Sequence, residues 1–216
     1  MGKYRKSRDT DDVYKSIPID EIPWNNEQPP RILVDLVECG KIKPCRCIDL
    51  GCGAGNYAIY LSQKGFTVTG IDISPTAISI ARENAKKKGA VCDFMVADVL
   101  HAEDQILKTF DFAYDWEVLH HVFPKFRKRY VENVHRLLNP GGKYLSVCFS
   151  EKDPQFGGKG KYRHTRIGTI LYFSSENELK KLFSRYFHVS ELKTIEISAK
   201  SVSHIANYVL VEKPLF

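Results

Sequence analysis

Cys47-Ile48-Asp49-Leu50-Gly51-Cys52-Gly53-Ala54-Gly55-Asn56 is a short apolar run that meets an acid, then three glycines at alternate positions, then a helical segment. Glycine lets a backbone turn sharply and approach a ligand with no Cβ in the way, and the helix that follows offers free N–H groups at its start. The stretch predicts a β-strand that ends on a nucleotide-sized ligand.

On its carboxyl side the chain alternates strand and helix patterns several times. Residues 66–71 read as a strand ending in Asp72, with Ser74 as cap and Pro75 in the first turn of a helix that buries Ala77, Ile78, Ala81 and Ala85. Strands over 92–97 and 110–114 end in Asp98 and Asp115, and a helix over 125–138 is expected to bury Phe126, Tyr130, Val131, Val134, Leu137 and Leu138. The turn Asn139-Pro140-Gly141-Gly142 leads into a strand over 143–149, and Ser175-x-x-Glu178 reads as a capping box before the last helix. Two long strand patterns, 188–197 and 202–212, close the chain as a hairpin. Such alternation implies a mainly parallel sheet with right-handed crossovers, whose ligands sit outside the carboxyl ends of the strands. Asp49, Asp72, Asp98 and Asp115 should then ring one cleft.

On its amino side, a helix is expected from Pro30 to about Cys39, preceded by an arm over 1–29 with a flexible tip and three prolines, Pro18, Pro23 and Pro29. Trp24 in this arm is expected either to lie over the cleft as an apolar lid or to plug a surface groove. The domain proper is expected over 30–216. Within it the polar, glycine-rich segment 150–168 reads as a loop, and loops of that length are usually functional or disordered.

A chain of 216 residues suits one domain with a proper core. Its 43% apolar and 27% charged residues are those of an ordinary globular protein, and no apolar run approaches the roughly 20 residues of a membrane span. The basic stretch from Met1 to Arg8 runs into Asp9, Asp11 and Asp12 instead of an apolar core, so no secretory signal is read and a cytoplasmic location is expected. The net charge of +6 is spread along the chain, which argues for a solvated surface before a nucleic-acid stripe. Six cysteines contain no C-x-x-C pair, and Cys47, Cys92 and Cys148 fall in apolar strand patterns. Reduced, structural thiols and no metal site are expected.

Two ligands compete for the glycine turn. A dinucleotide fingerprint G-x-G-x-x-G would need glycine where Asn56 stands, and Asp49 would face a pyrophosphate of its own sign. An acid there suits a cationic ligand, such as the amino and sulfonium groups of S-adenosylmethionine. Asp49-Leu50-Gly51-Cys52-Gly53-Ala54-Gly55, Gly70-Ile71-Asp72-Ile73-Ser74, Ala97-Asp98-Val99 and Asn139-Pro140-Gly141-Gly142, in this order at strand ends, resemble the successive signatures of class I S-adenosylmethionine-dependent methyltransferases. The match covers about residues 30–149, and the closing hairpin is similar to the family's last two strands. The resemblance implies a Rossmann-like α/β three-layer sandwich with a seven-stranded, mainly parallel sheet and a C-terminal antiparallel hairpin. It implies S-adenosylmethionine as cofactor and S-adenosylhomocysteine as product. By the same resemblance Gly51, Gly53 and Gly55 pass beneath the methionine part, Asp49 lies near its ammonium, and Asp72 accepts the ribose hydroxyls. Ile73 packs on the adenine, while Asp98 and the Val99 backbone bond it. Cys52, Asn56, Asp115, Trp116 and Trp24 complete the expected cofactor wall.

For the methyl acceptor, Asp115-Trp116-Glu117-Val118 differs from the Asp/Asn-Pro-Pro-Tyr of enzymes that methylate base nitrogens or glutamine amides. Leu119-His120-His121-Val122 resembles the L-x-H region common among small-molecule methyltransferases, which makes His120 and His121 candidate general bases. Pro23-Trp24 and the run from Gly70 to Ile78 are similar to the thiopurine, thiol and halide methyltransferase group, which carries Asp-Arg-Gly where Trp116-Glu117 stands here. A small molecule with a nitrogen, oxygen or sulfur nucleophile is therefore the expected acceptor, with Lys159, Lys161, Arg163, His164 and Arg166 either closing on an anionic group or solvated. A protein or RNA acceptor, a non-catalytic cofactor-binding subunit and any oligomeric state all remain open at this point.

Overall fold

The structure, a computed structural model, describes residues 9–198 and 202–215. The expected flexible tip lies outside the described residues, as does the turn of the closing hairpin. The arm holds helix α1 (Thr10–Ser16), whose first turn is capped by Asp9, and α2 (Arg31–Glu38) follows. Then come β1 (Arg46–Leu50), α3 (Asn56–Gln63), β2 (Thr67–Asp72), α4 (Pro75–Lys87), β3 (Cys92–Val96), β4 (Phe110–Trp116), α5 (Pro124–Leu137) and β5 (Leu138–Phe149). A short antiparallel pair, β6 (Tyr162–His164) and β7 (Ile170–Tyr172), precedes α6 (Glu176–Phe183) and the hairpin of β8 (His188–Ser198) and β9 (Ser203–Glu212).

The main sheet has seven strands in the order β3-β2-β1-β4-β5-β9-β8. Strands β1 to β5 are parallel, and β9 runs antiparallel to both neighbours. Local signals set the helix ends: Ser74 Oγ accepts the Ala77 N–H at 3.0 Å, and Ser175 with Glu178 forms the expected capping box. One face of the sheet packs on α2, α3 and α4 through Leu33, Leu36, Ala58, Leu61, Ile78 and Ala81. The other packs on α5 and α6 through Tyr130, Val131, Val134, Leu137, Leu179 and Phe183. Three layers result, because the central strands bury both faces. Among the described residues no helix is long and apolar enough to cross a membrane. All six cysteines are free thiols.

Two expectations need correction. Phe126 is not in the core: the buried face of α5 runs through Arg127, Tyr130, Val131, Val134 and Leu137, a helical spacing that leaves Phe126 outside, exposed under the Lys125 ammonium. Residues 150–168 are also more than a loop, since β6 lies within them. Arg163 turns inward, stacks on Phe173 at 4.0 Å, and donates to the carbonyls of Glu151 at 2.9 Å, Gln155 at 3.0 Å and Gly160 at 3.0 Å. One buried guanidinium thus satisfies the backbone of a whole turn.

Candidate active site

The glycine turn and the ends of β1, β2 and β3 enclose a cavity of about 320 Å³. At Gly53, φ is +53° and an added Cβ would stand 2.7 Å from the Tyr14 hydroxyl, so only glycine lets the turn pass beneath the arm. Its N–H donates to Asp72 Oδ2 at 2.9 Å, and the Ser74 N–H donates to Asp72 Oδ1 at 2.9 Å. Each carboxylate oxygen keeps a second lone pair, and the residue lines the cavity. Burial raises the Asp72 carboxyl above the usual range, against the pull of these N–H groups. Asp49 also lines the cavity, and burial pushes it up to about 7 while the Tyr114 hydroxyl beside it pulls the other way. Asp98 accepts the Leu100 N–H at 2.9 Å and faces the same space with Val99. Ile73, more than half exposed, offers an apolar face there without a protein partner over it.

Asp115 departs from expectation. Side chains alternate along a strand, and Tyr114 and Trp116 point to the face that Asp49 shares, which sends Asp115 to the α5 face. There it is fully buried, accepts hydrogen bonds from the hydroxyls of Tyr130 and Tyr144, and lies outside the cavity wall. Asn56 lines the cavity, but its amide is committed to the arm, donating to Asn25 Oδ1 at 3.0 Å and to the Asn26 carbonyl at 3.1 Å. Cys52 and Trp116 line the cavity, Trp116 edge-on to Tyr57.

The arm runs across this cavity. Asp11 Oδ1 accepts from Ser74 Oγ at 2.6 Å and from the Thr76 N–H at 3.1 Å, tying α1 to the start of α4. Tyr14 is buried against the glycine turn, and Trp24 Nε1 donates to its hydroxyl at 2.9 Å. Tyr14, Asn25 and Asn26 of the arm and Tyr57 of α3 are wall residues that sequence reasoning missed: no motif marks the arm residues until its fold brings them in, and Tyr57 faces the cavity from the helix after the glycine turn.

A second cavity, of about 590 Å³, opens beyond Trp24. Its floor is a column of near-parallel rings: His120 stacks on Phe149 at 4.2 Å, Phe149 on His204 at 4.4 Å, and His204 on Phe156 at 5.5 Å. Leu171, Ile167, Pro23 and Val202 add apolar walls. Of the five basic residues expected on the loop, only His164 and Arg166 line this space; Lys161 pairs with Glu151 and Glu178, and Arg163 serves the backbone. Both histidines of the L-x-H segment reach it. His120 Nδ1 accepts the Phe149 N–H at 3.3 Å, so the neutral ring carries its proton on Nε2; burial and the nearby His121 and Arg127 hold it well below the usual histidine range. His121 is lowered to about 4 by the protein around it.

Buried Arg127 fixes this segment. It donates to the carbonyls of Leu119 at 2.9 Å and Val122 at 2.6 Å and to Ser174 Oγ at 2.6 Å, and no carboxylate among the described residues pairs with it. The two cavities share three wall residues, Trp24, Glu117 and His121. Glu117 was not singled out from the sequence, although it stands at the Trp116-Glu117 departure from the thiol-type pattern.

Comparison with known proteins agrees with this geometry. A family model described as a methyltransferase domain matches residues 47–142. The 2-heptyl-1-hydroxyquinolin-4(1H)-one methyltransferase of Mycobacteroides abscessus is 28% identical over 180 residues, 82% of this chain and 73% of its own length. A probable thiol methyltransferase of Arabidopsis thaliana is 26% identical over 129 residues, 59% of this chain and 56% of its own. A structure solved in work on the conversion of a disulfide bond into a thioacetal group during echinomycin biosynthesis superimposes with a TM-score of 0.80 at 24% identity, covering 95% of this chain and 91% of that one, and shares the fold. Residues 47–142 thus match a methyltransferase domain, and in sequence, in its seven-stranded sheet and in its glycine turn the chain is similar to S-adenosylmethionine-dependent methyltransferases.

Proposed function

We propose that the chain moves the methyl group of S-adenosylmethionine to a nitrogen, oxygen or sulfur atom of a small, largely apolar molecule held in the second cavity. The observation that carries the reading is the junction: the cofactor-sized cavity and the aromatic one meet along Trp24, Glu117 and His121. The residues present fit the cofactor. Asp72 has a spare lone pair on each oxygen for two vicinal hydroxyls, Asp49 offers a carboxylate for an ammonium, and exposed Ile73 offers a face for a purine. Asp98 and Val99 would meet the purine edge, and Gly51 and Gly53 would let the backbone pass under the amino-acid part. When bound, S-adenosylmethionine supplies a methyl group on a positively charged sulfur, ready for in-line displacement.

The protein's part is binding, alignment and exclusion of water. Bringing an acceptor atom into line with the methyl carbon can itself supply much of the rate. Trp24 and Tyr14 roof the junction, and the ring column offers edges to a planar guest. The mycobacterial relative is named for a planar hydroxyquinolinone with a heptyl tail, a guest of this kind, and the plant relative for a thiol acceptor. The test is transfer of labelled methyl from S-adenosylmethionine into a lysate split into small-molecule, protein and RNA fractions. Label in the small-molecule fraction is expected. Label confined to protein or RNA, or none in any fraction, would overturn the proposal.

A further inference from the structure

Glu117 is the least expected of the junction residues. It follows the end of β4 and has φ +66°, one of two described non-glycine residues with positive φ. The conformation is held, not loose: the Glu117 N–H donates to the Val147 carbonyl at 2.8 Å, extending the β4–β5 ladder by one bond. A side chain with a Cβ adopts this backbone reluctantly, and such residues persist where the surroundings enforce them, often at functional sites. Here the left-handed turn breaks the in–out alternation of β4 and brings the carboxylate to the wall of both cavities. None of the described residues gives that carboxylate a hydrogen bond or an ion pair.

Every other polar group at the junction is committed or weaker. Trp24 Nε1 is spent on Tyr14, and His120 uses Nδ1 as an acceptor and carries its proton on Nε2. His121 stands exposed at the cavity mouth, whereas Glu117 is half-buried and burial lifts its carboxyl to about 7, within reach of a proton at neutral pH. The titratable groups around it are Tyr57 from α3, Asp49 from β1 and the two histidines themselves.

We propose that Glu117 is the catalytic base of the transfer, accepting the proton of the acceptor's O–H, N–H or S–H group. The acceptor's lone pair forms the new bond to the methyl carbon, the carbon–sulfur pair returns to sulfur, and the positive charge on sulfur is discharged. The acceptor's proton moves to Glu117, which loses it to solvent after product release. The inference rests on the cofactor reading above.

Sinefungin tests it without any acceptor, since this cofactor analogue carries an amine where the transferred methyl group stands. Calorimetry should find that Glu117→Gln weakens sinefungin binding by about tenfold or more while S-adenosylhomocysteine changes by less than about twofold. Glu117→Asp, which keeps the charge on a shorter stem, should retain part of the sinefungin preference. Equal loss for both ligands would mean that Glu117 holds the amino-acid end, and no loss for either would mean that it does not reach the transfer point; each result overturns the proposal. Wild-type protein that binds neither ligand would overturn the cofactor reading, and this inference with it.

Discussion

Around the cofactor cavity, shape comes from backbone: a glycine turn, parallel strand ends, and N–H groups aimed at Asp72. Around the second cavity, shape comes from two buried arginines, Arg127 and Arg163, that hold the carbonyls of nearby turns, Arg127 also reaching Ser174, and from rings that stack on one another. The first takes its glycine turn from one short run of chain and its carboxylates from successive strand ends, whereas the second is assembled from five separated pieces of loop and arm. The difference teaches that the contacts shaping the second half can be rearranged without touching the sheet, whereas the first half is fixed by the strand ends themselves.

Asp49→Asn should break or sharpen this contrast most strongly. An acid whose folded pKa stands above its unfolded value of 3.8 binds its proton more tightly when folded, so the stability it contributes falls as pH rises from about 4 through about 7 and is flat above. For Asp49 the full difference is about 4 kcal/mol. Urea denaturation across this range should show wild type losing that amount relative to the variant; parallel curves would show that the cofactor half imposes no such burial. Next comes Arg127→Met, which leaves the Leu119 and Val122 carbonyls without their donor and should cost about 3 kcal/mol. It should lower turnover while S-adenosylhomocysteine affinity holds within about threefold; an equal loss of both would erase the distinction between the halves.

Gly55→Ala probes the backbone-built side. At φ +77°, with an added Cβ 2.7 Å from the Phe94 ring and 2.9 Å from Ala81, it should cost about 2 kcal/mol in a denaturation curve. Asn56→Ala removes two hydrogen bonds to the arm and should cost about 1 kcal/mol, with hydrogen exchange rising over residues 17–26 and unchanged in the sheet.

The same contrast explains what the sequence disclosed. The run from Asp49 to Gly55, the Ser74-Pro75 helix start and the capping box at Ser175 are local signals, and each falls where its pattern predicts. Asp115 failed because an acid at a strand end says nothing of which face it takes, and one residue of phase decides that. Phe126 failed for the same reason in helical phase. Arg163 reads as a surface charge until the turn it holds exists, and the positive φ of Glu117 has no sequence signature, since nothing but the β4–β5 ladder and the arm above it imposes that conformation.

The central claim is that the acidic strand ends and the glycine turn hold S-adenosylmethionine. Calorimetric titration of S-adenosylhomocysteine into wild-type protein and Asp72→Ala tests it most directly, with NAD as control. One equivalent bound by wild type, an affinity loss of about a hundredfold in the variant and no heat from NAD are predicted. Wild-type protein that binds NAD and not S-adenosylhomocysteine, or an Asp72→Ala variant that binds as tightly as wild type, would contradict the account.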